Sequence, residues 1–244
     1  MSRNPIIDGT LALFLGLALA TVSLVSPYAE TVSPVGDETF EGGFSCAGLD
    51  APLPKIAVQC RSNINPALPA FVFTLVGHRD QASGVNILDH IDIARSGETT
   101  PFQTISPVNS SVPENVASFG FEAIDLNFDG YLDMRVVSFL PAGPNIPYEN
   151  WIWSNARGKF IASPELDKIT SPQFDADTQE ITSHWRSSAA EQGTDVYAYD
   201  GATPVLIHRE TDTYSPSGSC SRIYYDQIDD ELRKTGTGAC TADE

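Results

Sequence analysis

The stretch FGFEAIDLNFDGYLDMRVVSFL, which runs from Phe119 to Leu140, places an acidic loop between two apolar runs. The runs at 119–124 and 134–140 have the length and apolar content of β-strands. The loop between them alternates Asp or Asn with apolar residues and contains a glycine, a composition that favours a turn. The stretch therefore predicts a strand, a loop and a second strand.

Short apolar runs separated by turn residues continue on both sides of this stretch. The 244 residues include 17 prolines and 18 glycines, and no segment after residue 29 has the apolar periodicity of a helix. Strands joined by local turns protect their edges in propellers, sandwiches or barrels. We therefore predict an all-β fold of many short antiparallel strands, either β-propeller-like or a sandwich or barrel. The other predicted strands are 71–76, 85–93, 102–105, 148–153, 159–161, 180–186, 195–200 and 205–209, with a final hairpin between Cys220 and Cys240.

The N-terminus has the pattern of a secretory signal peptide. Arg3 precedes an uncharged apolar run from Leu11 to Val25, and cleavage fits after either Ala20 or Ala29. A membrane-spanning helix needs about 20 apolar residues, and this run is shorter. We expect a periplasmic or secreted protein with no membrane attachment after cleavage. The predicted organisation is a signal peptide at 1–29, a Pro-rich lead-in at 30–69 and a β domain at 70–244.

Four cysteines follow the predicted signal peptide, at positions 46, 60, 220 and 240. An even number of cysteines in an exported chain indicates disulfides, and four cysteines can pair in three ways. We favour Cys46 with Cys60 and Cys220 with Cys240, because each pair brackets a short segment. Neither pair has the C-x-x-C spacing of a redox or zinc site, so a structural role is expected.

The chain carries 32 acidic and 14 basic residues, which gives a formal net charge of −18. A protein that binds nucleic acid needs a basic face for the phosphates, so this charge excludes that class of partner. The same charge repels anionic lipid headgroups. It favours basic protein partners and divalent cations.

The acidic loop has the spacing of a calcium site. Its side-chain oxygens fall at the first, third, fifth and ninth positions, and the carbonyl at the seventh position can supply one more ligand. Calcium takes about six to eight oxygen ligands, and a glycine at the sixth position, Gly130, permits the sharp turn around it. The predicted ligands are Asp125, Asn127, Asp129, Tyr131 through its carbonyl, and Asp133.

Two alternatives for this loop fit less well. An EF-hand requires a bidentate glutamate at the twelfth position, where this chain has Val136, and it requires helices where these flanks favour strands. Magnesium prefers a tight octahedron that retains several waters. Calcium is therefore the predicted ion.

The loop resembles the calcium loop of FG-GAP and VCBS-type repeats, which occur in β-propellers. Over residues 119–210 the chain is also similar to a family of exported bacterial calcium-binding, propeller-like proteins that act as immunity proteins against lysozyme-like effectors. The further matching segments, in chain order, are Asn150-Trp-Ile-Trp153, Gly158-Lys-Phe160, Ser163-Pro-Glu-Leu166, Phe174-Asp-Ala-Asp177, Ile181-Thr-Ser183 and Val196-Tyr-Ala-Tyr-Asp-Gly201.

The resemblance implies that a loop near the calcium site plugs a glycan-cleaving active site through an aromatic residue. The nearest candidate is Tyr148, which follows the Pro141–Pro147 loop, and a second candidate edge is the pattern from Gly193 to Tyr197. In this chain the Pro-Ala-Gly-Pro-Asn-Ile-Pro sequence replaces the small-residue-rich loop of the family. The alternative for Tyr148 is ordinary packing at the start of a strand.

An enzymatic function is not expected. The histidines at 78, 90, 184 and 208 lie in different segments without a paired metal-binding spacing, and no nucleophile-elbow, P-loop or dinucleotide motif is present. Two hypotheses follow. The first is a calcium-binding protein that binds and inhibits a lysozyme-like, peptidoglycan-cleaving enzyme. The second is a structural or adhesion module in which calcium only stabilises the fold.

Overall fold

A computed structural model describes residues 44–240, all of which belong to one compact unit of the chain. The signal peptide expected at 1–29 lies outside the described residues and stays a prediction. Two short 3₁₀ helices occur at Ala117–Gly120 and Leu166–Lys168. The strands of the described residues are β1 (Ser45–Leu49), β2 (Lys55–Ser62), β3 (Phe71–Arg79), β4 (Val85–Arg95), β5 (Gln103–Ile105), β6 (Ser110–Pro113), β7 (Glu122–Ile124), β8 (Asp133–Val137), β9 (Tyr148–Ser154), β10 (Lys159–Ala162), β11 (Pro172–Asp175), β12 (Glu180–Arg186), β13 (Glu191–Asp200), β14 (Thr203–Tyr214), β15 (Cys220–Ile228) and β16 (Glu231–Ala239).

These strands form three antiparallel sheets, which confirms the predicted all-β class. Sheet 1 has the order β1-β2-β3-β4-β5, with β6 also pairing with β4. Sheet 2 has the order β10-β9-β8-β7, and sheet 3 runs in sequence from β11 to β16. Almost every strand lies beside its neighbour in the chain, as expected for strands joined by local turns. No helix within residues 44–240 has the length and apolar character needed to span a membrane.

Sheet 2 lies between the other two sheets, and all five residues of β8 are buried. Met134 and Val136 of β8 share one hydrophobic core with Phe71 and Phe73 of sheet 1. The rings of Phe71 and Trp153 meet across these two sheets with centroids 5.1 Å apart. A second core of Leu126, Leu166, Ile169 and Ile181 joins sheet 2 to sheet 3, because Ile124 and Ile152 of sheet 2 pack against it and Ile181 belongs to sheet 3. The three sheets are therefore layered face to face, as in a sandwich.

Sheet 1 begins inside the segment expected to be a Pro-rich lead-in. β2 pairs with β3 over eight residues, from Lys55 with His78 to Ser62 with Phe71. Ile56 and Val58 pack against the core, and Cys60 is buried in it. Prolines on both sides of β2 conceal this alternation in the sequence. The strands β1 and β2, within residues 45–62, thus belong to the same sheet as strands that follow residue 70.

The strand expected to start at Phe119 starts later, at β7. Residues Ala117–Gly120 form a 3₁₀ turn in which Ser118 and Phe119 have positive φ values of 52° and 57°. At Gly120, where φ is 62°, an added Cβ would lie 2.5 Å from Cγ2 of Val137. The close approach between this turn and β8 leaves no room for a side chain at this position.

The last three strands of sheet 3 are held together by polar contacts. No side chain of β14, β15 or β16 belongs to either hydrophobic core of the described residues. Arg222 of β15 donates from Nε to Asp212 of β14 over 2.6 Å, and Cys220 forms a disulfide with Cys240 after β16. The other disulfide joins Cys46 to Cys60, which are direct partners across β1 and β2. Both disulfides have the expected pairing.

Candidate metal centre

The acidic loop connects β7 to β8 at one end of sheet 2. Ile124, the last residue of β7, pairs with Asp133, the first residue of β8. Phe128 and Gly130 have positive φ values of 61° and 83°, which turn the chain sharply within the loop. The strand, loop and strand expected from the sequence are present, and the loop brings all five predicted calcium ligands into one short connection.

Two of the loop carboxylates accept hydrogen bonds from the loop backbone. Oδ2 of Asp125 accepts the N–H of Gly130 over 2.8 Å, and its Oδ1 accepts the N–H of Asp129 over 3.1 Å. Oδ1 of Asp129 accepts the N–H of Tyr131 over 2.9 Å. The side-chain amide of Asn127 donates to Oδ2 of Asp129 over 3.0 Å. These contacts fold the acidic side chains inward on the loop.

The third carboxylate, that of Asp133, is buried and joins the loop to the sheet. Its Oδ2 accepts the N–H of Leu126 over 2.8 Å, and its Oδ1 accepts the N–H of Trp153 in β9 over 2.7 Å. Burial raises the pKa of this carboxyl to about 8, although the two N–H donors oppose the shift. The charges of Asp129 and Asp125 raise the pKa further, so the three acidic groups repel one another.

The chemistry of this donor set fits calcium. Within residues 44–240, none of the three loop aspartates forms an ion pair with a basic side chain. Their carboxylates accept hydrogen bonds from backbone N–H groups and from the side-chain amide of Asn127, and carboxylate oxygens are the ligands that calcium prefers. The three aspartates do not bring one oxygen each to within 4.8 Å of one another.

The loop contacts all three sheets. Asn65, in the connection from β2 to β3, donates from Nδ2 to the carbonyl of Gly130 over 3.0 Å. From sheet 3, the hydroxyl of Tyr199 donates to the carbonyl of Leu126 over 3.1 Å. Burial and the loop carboxylates raise the pKa of Tyr199, so it remains a donor. Sequence reasoning did not identify Asn65 or Tyr199, because they lie 65 and 73 residues from their partners and belong to no loop motif.

An open cavity of about 400 Å³ lies beside the loop. Asn127 and Asp129 form one wall, and Tyr199 with residues of β9 and β10 forms the remainder. The side chains of Asn127 and Asp129 are therefore accessible from solvent.

Tyr148, the predicted partner-binding residue, is half-buried at the start of β9. Its ring covers the guanidinium of Arg135, with 4.1 Å from Cζ to the ring centroid. Burial raises the pKa of the Tyr148 hydroxyl. Phe139 and Leu140, which precede the Pro141–Pro147 loop, are exposed apolar side chains with 52% and 40% of their surface accessible. The Pro141–Pro147 loop is held in place by Asn145, which exchanges hydrogen bonds of 2.8 and 2.9 Å with the backbone of Arg186.

The second candidate edge, from Gly193 to Tyr197, lies within β13. A Cβ at Gly193 would fall 2.4 Å from the ring of Trp185, so this glycine permits a close contact. Tyr197 donates its hydroxyl to Asp195 over 3.2 Å, and Asp195 also accepts from Trp185 and Arg209. This segment is paired on both sides, with β12 and β14, and it contains a hydrogen-bonded cluster around the buried Asp195.

The histidines do not come together. His78 contacts Asp89, His90 contacts Asp92, His184 contacts Thr194 and His208 contacts Asp226. In the described part of the chain, one group of three potential metal donors falls within 4.8 Å, and it consists of Asp212, Cys220 and Cys240. The two sulfurs are bonded to each other, so they do not act as thiolate ligands.

A search of solved structures finds a similar fold in a Xanthomonas type IV secretion system related protein. The TM-score is 0.55 and the sequence identity is 15%, and the match covers 79% of this chain and 99% of that chain. At this identity the likeness shows a shared fold. No protein-family model matches the chain, and a search of curated proteins also finds no match.

Proposed function

We propose that this chain is an exported calcium-binding protein that binds and inhibits a lysozyme-like, peptidoglycan-cleaving enzyme. The observation that carries the proposal is the β7–β8 loop, in which three mutually repelling carboxylates belong to one short connection without a basic partner in the described residues. Such a loop is stabilised by a hard divalent cation. Asp125, Asn127, Asp129, Asp133 and the carbonyl of Tyr131 would hold it.

Export is supported by the disulfides and by the N-terminal sequence. Disulfides persist in oxidising compartments such as the periplasm or the cell exterior, and all four cysteines of the chain are paired. The structurally similar Xanthomonas protein is described as related to a secretion system. These features and the expected signal peptide support a periplasmic or secreted location.

An enzyme partner is supported by charge and by sequence resemblance. A net charge of −18 complements a basic glycan hydrolase and accelerates association with it. The exposed side chains of Phe139 and Leu140 stand beside the loop that the family resemblance assigns to inhibition. An inhibitor needs no catalytic groups of its own, and we propose no enzymatic activity for this chain.

The proposal is tested by assaying a panel of purified muramidases with the processed protein, in calcium and in EDTA. Inhibition of at least one muramidase is expected in calcium, with weaker inhibition in EDTA because the loop loses its charge balance. A panel in which every muramidase retains full activity, and none is captured by the immobilised protein, would contradict the proposal.

A structural or adhesion module is the second candidate. The contacts of the loop with all three sheets favour it, since a cation in the loop would then stabilise the whole fold. This candidate predicts a large calcium-dependent rise in melting temperature together with no enzyme partner in a periplasmic pull-down. Inhibition that is lost when Phe139 or Tyr148 is substituted would favour the inhibitor over the structural module.

A further inference from the structure

The outer part of sheet 3 presents an ordered array of polar side chains on one face. Cross-strand pairing aligns His184, Thr194, Glu210 and Tyr224 in one row, and Arg186, Gln192, Asp212 and Arg222 in the next. We call these two rows the polar face. The two rows are two residues apart along each strand. Because side chains alternate between the two sides of a strand, the side chains of both rows point to the same side of the sheet.

A cavity of about 240 Å³ lies on the polar face. Members of both rows line it, and Pro144 of the loop before β9 closes one side. Drug-sized ligands occupy cavities of about 300–1,000 Å³, so this cavity suits a smaller group.

The charged side chains at this cavity are held in fixed positions. Arg222 donates from Nη2 to Asp212 over 2.8 Å and contacts Glu210 from Nη1 over 2.8 Å. The side chains of Asp212 and Arg222 are 7% and 13% exposed. His184 and Thr194 are hydrogen-bonded over 3.0 Å. The cavity therefore offers donors and acceptors in a rigid arrangement with nearly balanced charge.

An aromatic ring lies on the polar face next to Glu210, which lines the cavity. Tyr224 stands directly opposite Glu210, and its half-exposed ring leans over β16. A Cβ at Gly236 would lie 3.3 Å from Cδ2 of Tyr224, and one at Gly238 would lie 3.6 Å from its Cε2. These glycines place no side chain beside the ring. The imidazole of His208 lies next to it, with ring centroids 6.5 Å apart.

We propose that the polar face binds a saccharide. A sugar ring presents hydroxyl groups that both donate and accept, together with an apolar C–H face that packs on the negative face of an aromatic ring. Fixed donors and acceptors beside Tyr224 match both parts. An anion would be repelled by Glu210 and Asp212, and a cation by Arg186 and Arg222, whereas sugar hydroxyls can both donate to the acidic groups and accept from the basic ones.

This site is distinct from the calcium loop and requires no enzyme partner. It gives a second function beyond inhibition, because glycan binding would hold the protein on a polysaccharide. An inhibitor of a peptidoglycan-cleaving enzyme would then be concentrated where that enzyme acts.

Binding is tested by titration calorimetry of the full processed chain with chitohexaose, cellohexaose and soluble muropeptides. Binding to at least one probe is expected, with about tenfold weaker affinity for Tyr224→Leu and for Gln192→Ala. The matched control is Tyr225→Leu, which alters the adjacent tyrosine on the opposite side of β15 and should leave the affinity within about twofold.

Circular dichroism and melting curves establish that each variant is folded. If Tyr224→Leu fails to fold, the affinity of Gln192→Ala tests the proposal. The side chain of Gln192 lies at the cavity and outside both hydrophobic cores. Absence of binding to all three probes, or equal weakening by Tyr225→Leu, would overturn the proposal. Neither result bears on calcium binding or on muramidase inhibition.

Discussion

Oδ1 of Asp133 accepts a 2.7 Å hydrogen bond from the backbone N–H of Trp153, and this contact fixes the end of the acidic loop to the neighbouring strand. Trp153 is itself packed against Phe71 in the core shared by sheets 1 and 2. The last predicted calcium ligand is consequently part of the packed interior. Its conformation is set by the sheet, whereas those of Asp125 and Asp129 are set by the loop.

Replacement of both Asp125 and Asp129 by alanine should abolish calcium binding. The change removes two carboxylates from the ligand set and also the acceptors for Gly130 and Tyr131. Titration calorimetry with calcium measures the effect. Replacement of Asp175 and Asp177, which lie in the β11–β12 turn, is the control and should leave the affinity unchanged. Undiminished affinity in the loop variant would show that calcium binds elsewhere.

Asp133→Asn should destabilise the fold in EDTA at a pH above 8, where the carboxyl of Asp133 is ionised. Both carboxylate oxygens accept backbone N–H groups, and the amide of Asn directs a donor at one of them. A buried donor or acceptor without a partner costs about 1–3 kcal/mol, so a loss of this size is expected in urea denaturation. Asn127→Ala, at a side chain open to solvent in the same loop, should have a much smaller effect. Equal stability of Asp133→Asn and the wild type would contradict this interpretation.

The His208–Asp226 pair predicts a pH dependence of stability. The hydrogen bond to Asp226 raises the pKa of His208, and Glu210 adds to the shift against partial burial. A raised folded pKa stabilises the protein below the unfolded value of about 6.5, and this contribution disappears as the pH rises through the folded pKa. Melting temperatures of the wild type and His208→Gln should therefore converge as the pH rises above neutrality. A difference that is independent of pH would refute the assignment.

The two disulfides should differ in their contribution to stability. Paired Cys→Ser substitution removes a loop constraint of about 3 kcal/mol at either site in the chain-entropy model. Cys60 is buried in the core, so its serine variant also buries a hydroxyl group, whereas Cys220 and Cys240 lie outside both cores. Urea denaturation should show the larger loss for the Cys46–Cys60 pair. An equal or smaller loss at that pair would contradict the role given to burial.

Phe139 and Tyr148 are two candidates for the aromatic residue that plugs the active site of the enzyme, and substitution of each distinguishes them. Phe139→Ala removes an exposed ring and should leave the melting temperature unchanged while weakening inhibition about tenfold or more. Tyr148→Ala should lower the melting temperature because it uncovers Arg135. Inhibition constants and melting curves of the two variants give the answer. Loss of inhibition by Tyr148→Ala at an unchanged melting temperature would instead favour Tyr148.

Most strands after residue 70 could be predicted from the sequence. Val85–Arg95 and Tyr148–Ser154 have apolar runs bounded by turn residues, and the expected last hairpin turns at Asp229 and Asp230, which both have positive φ. β2 was hidden by flanking prolines, and β6 and β11 are short strands that contain proline. Their pairing depends on partners that the local sequence does not identify.

The candidate metal site could be predicted as a set of residues, because its predicted ligands are close in sequence. The contacts that join this loop to the rest of the fold could not be predicted. The bonds from Asn65 and Tyr199 depend on how sheets 1 and 3 are layered on sheet 2, and a local pattern contains no information on that layering. The same reason explains why the sequence offered packing at the start of a strand as an alternative for Tyr148 but did not identify Arg135, whose guanidinium its ring covers.

The two disulfides lie at opposite ends of the strand order. One fastens β1, at the edge of sheet 1, to β2, and the other fastens the end of β16, at the edge of sheet 3, to the start of β15. Outermost strands open first in native proteins and expose backbone groups to foreign strands and to proteases. In the described part of this chain the first and the last strand, each at one edge of its sheet, are attached by covalent bonds. Amide exchange at these two edges should therefore require opening of larger units than single strands.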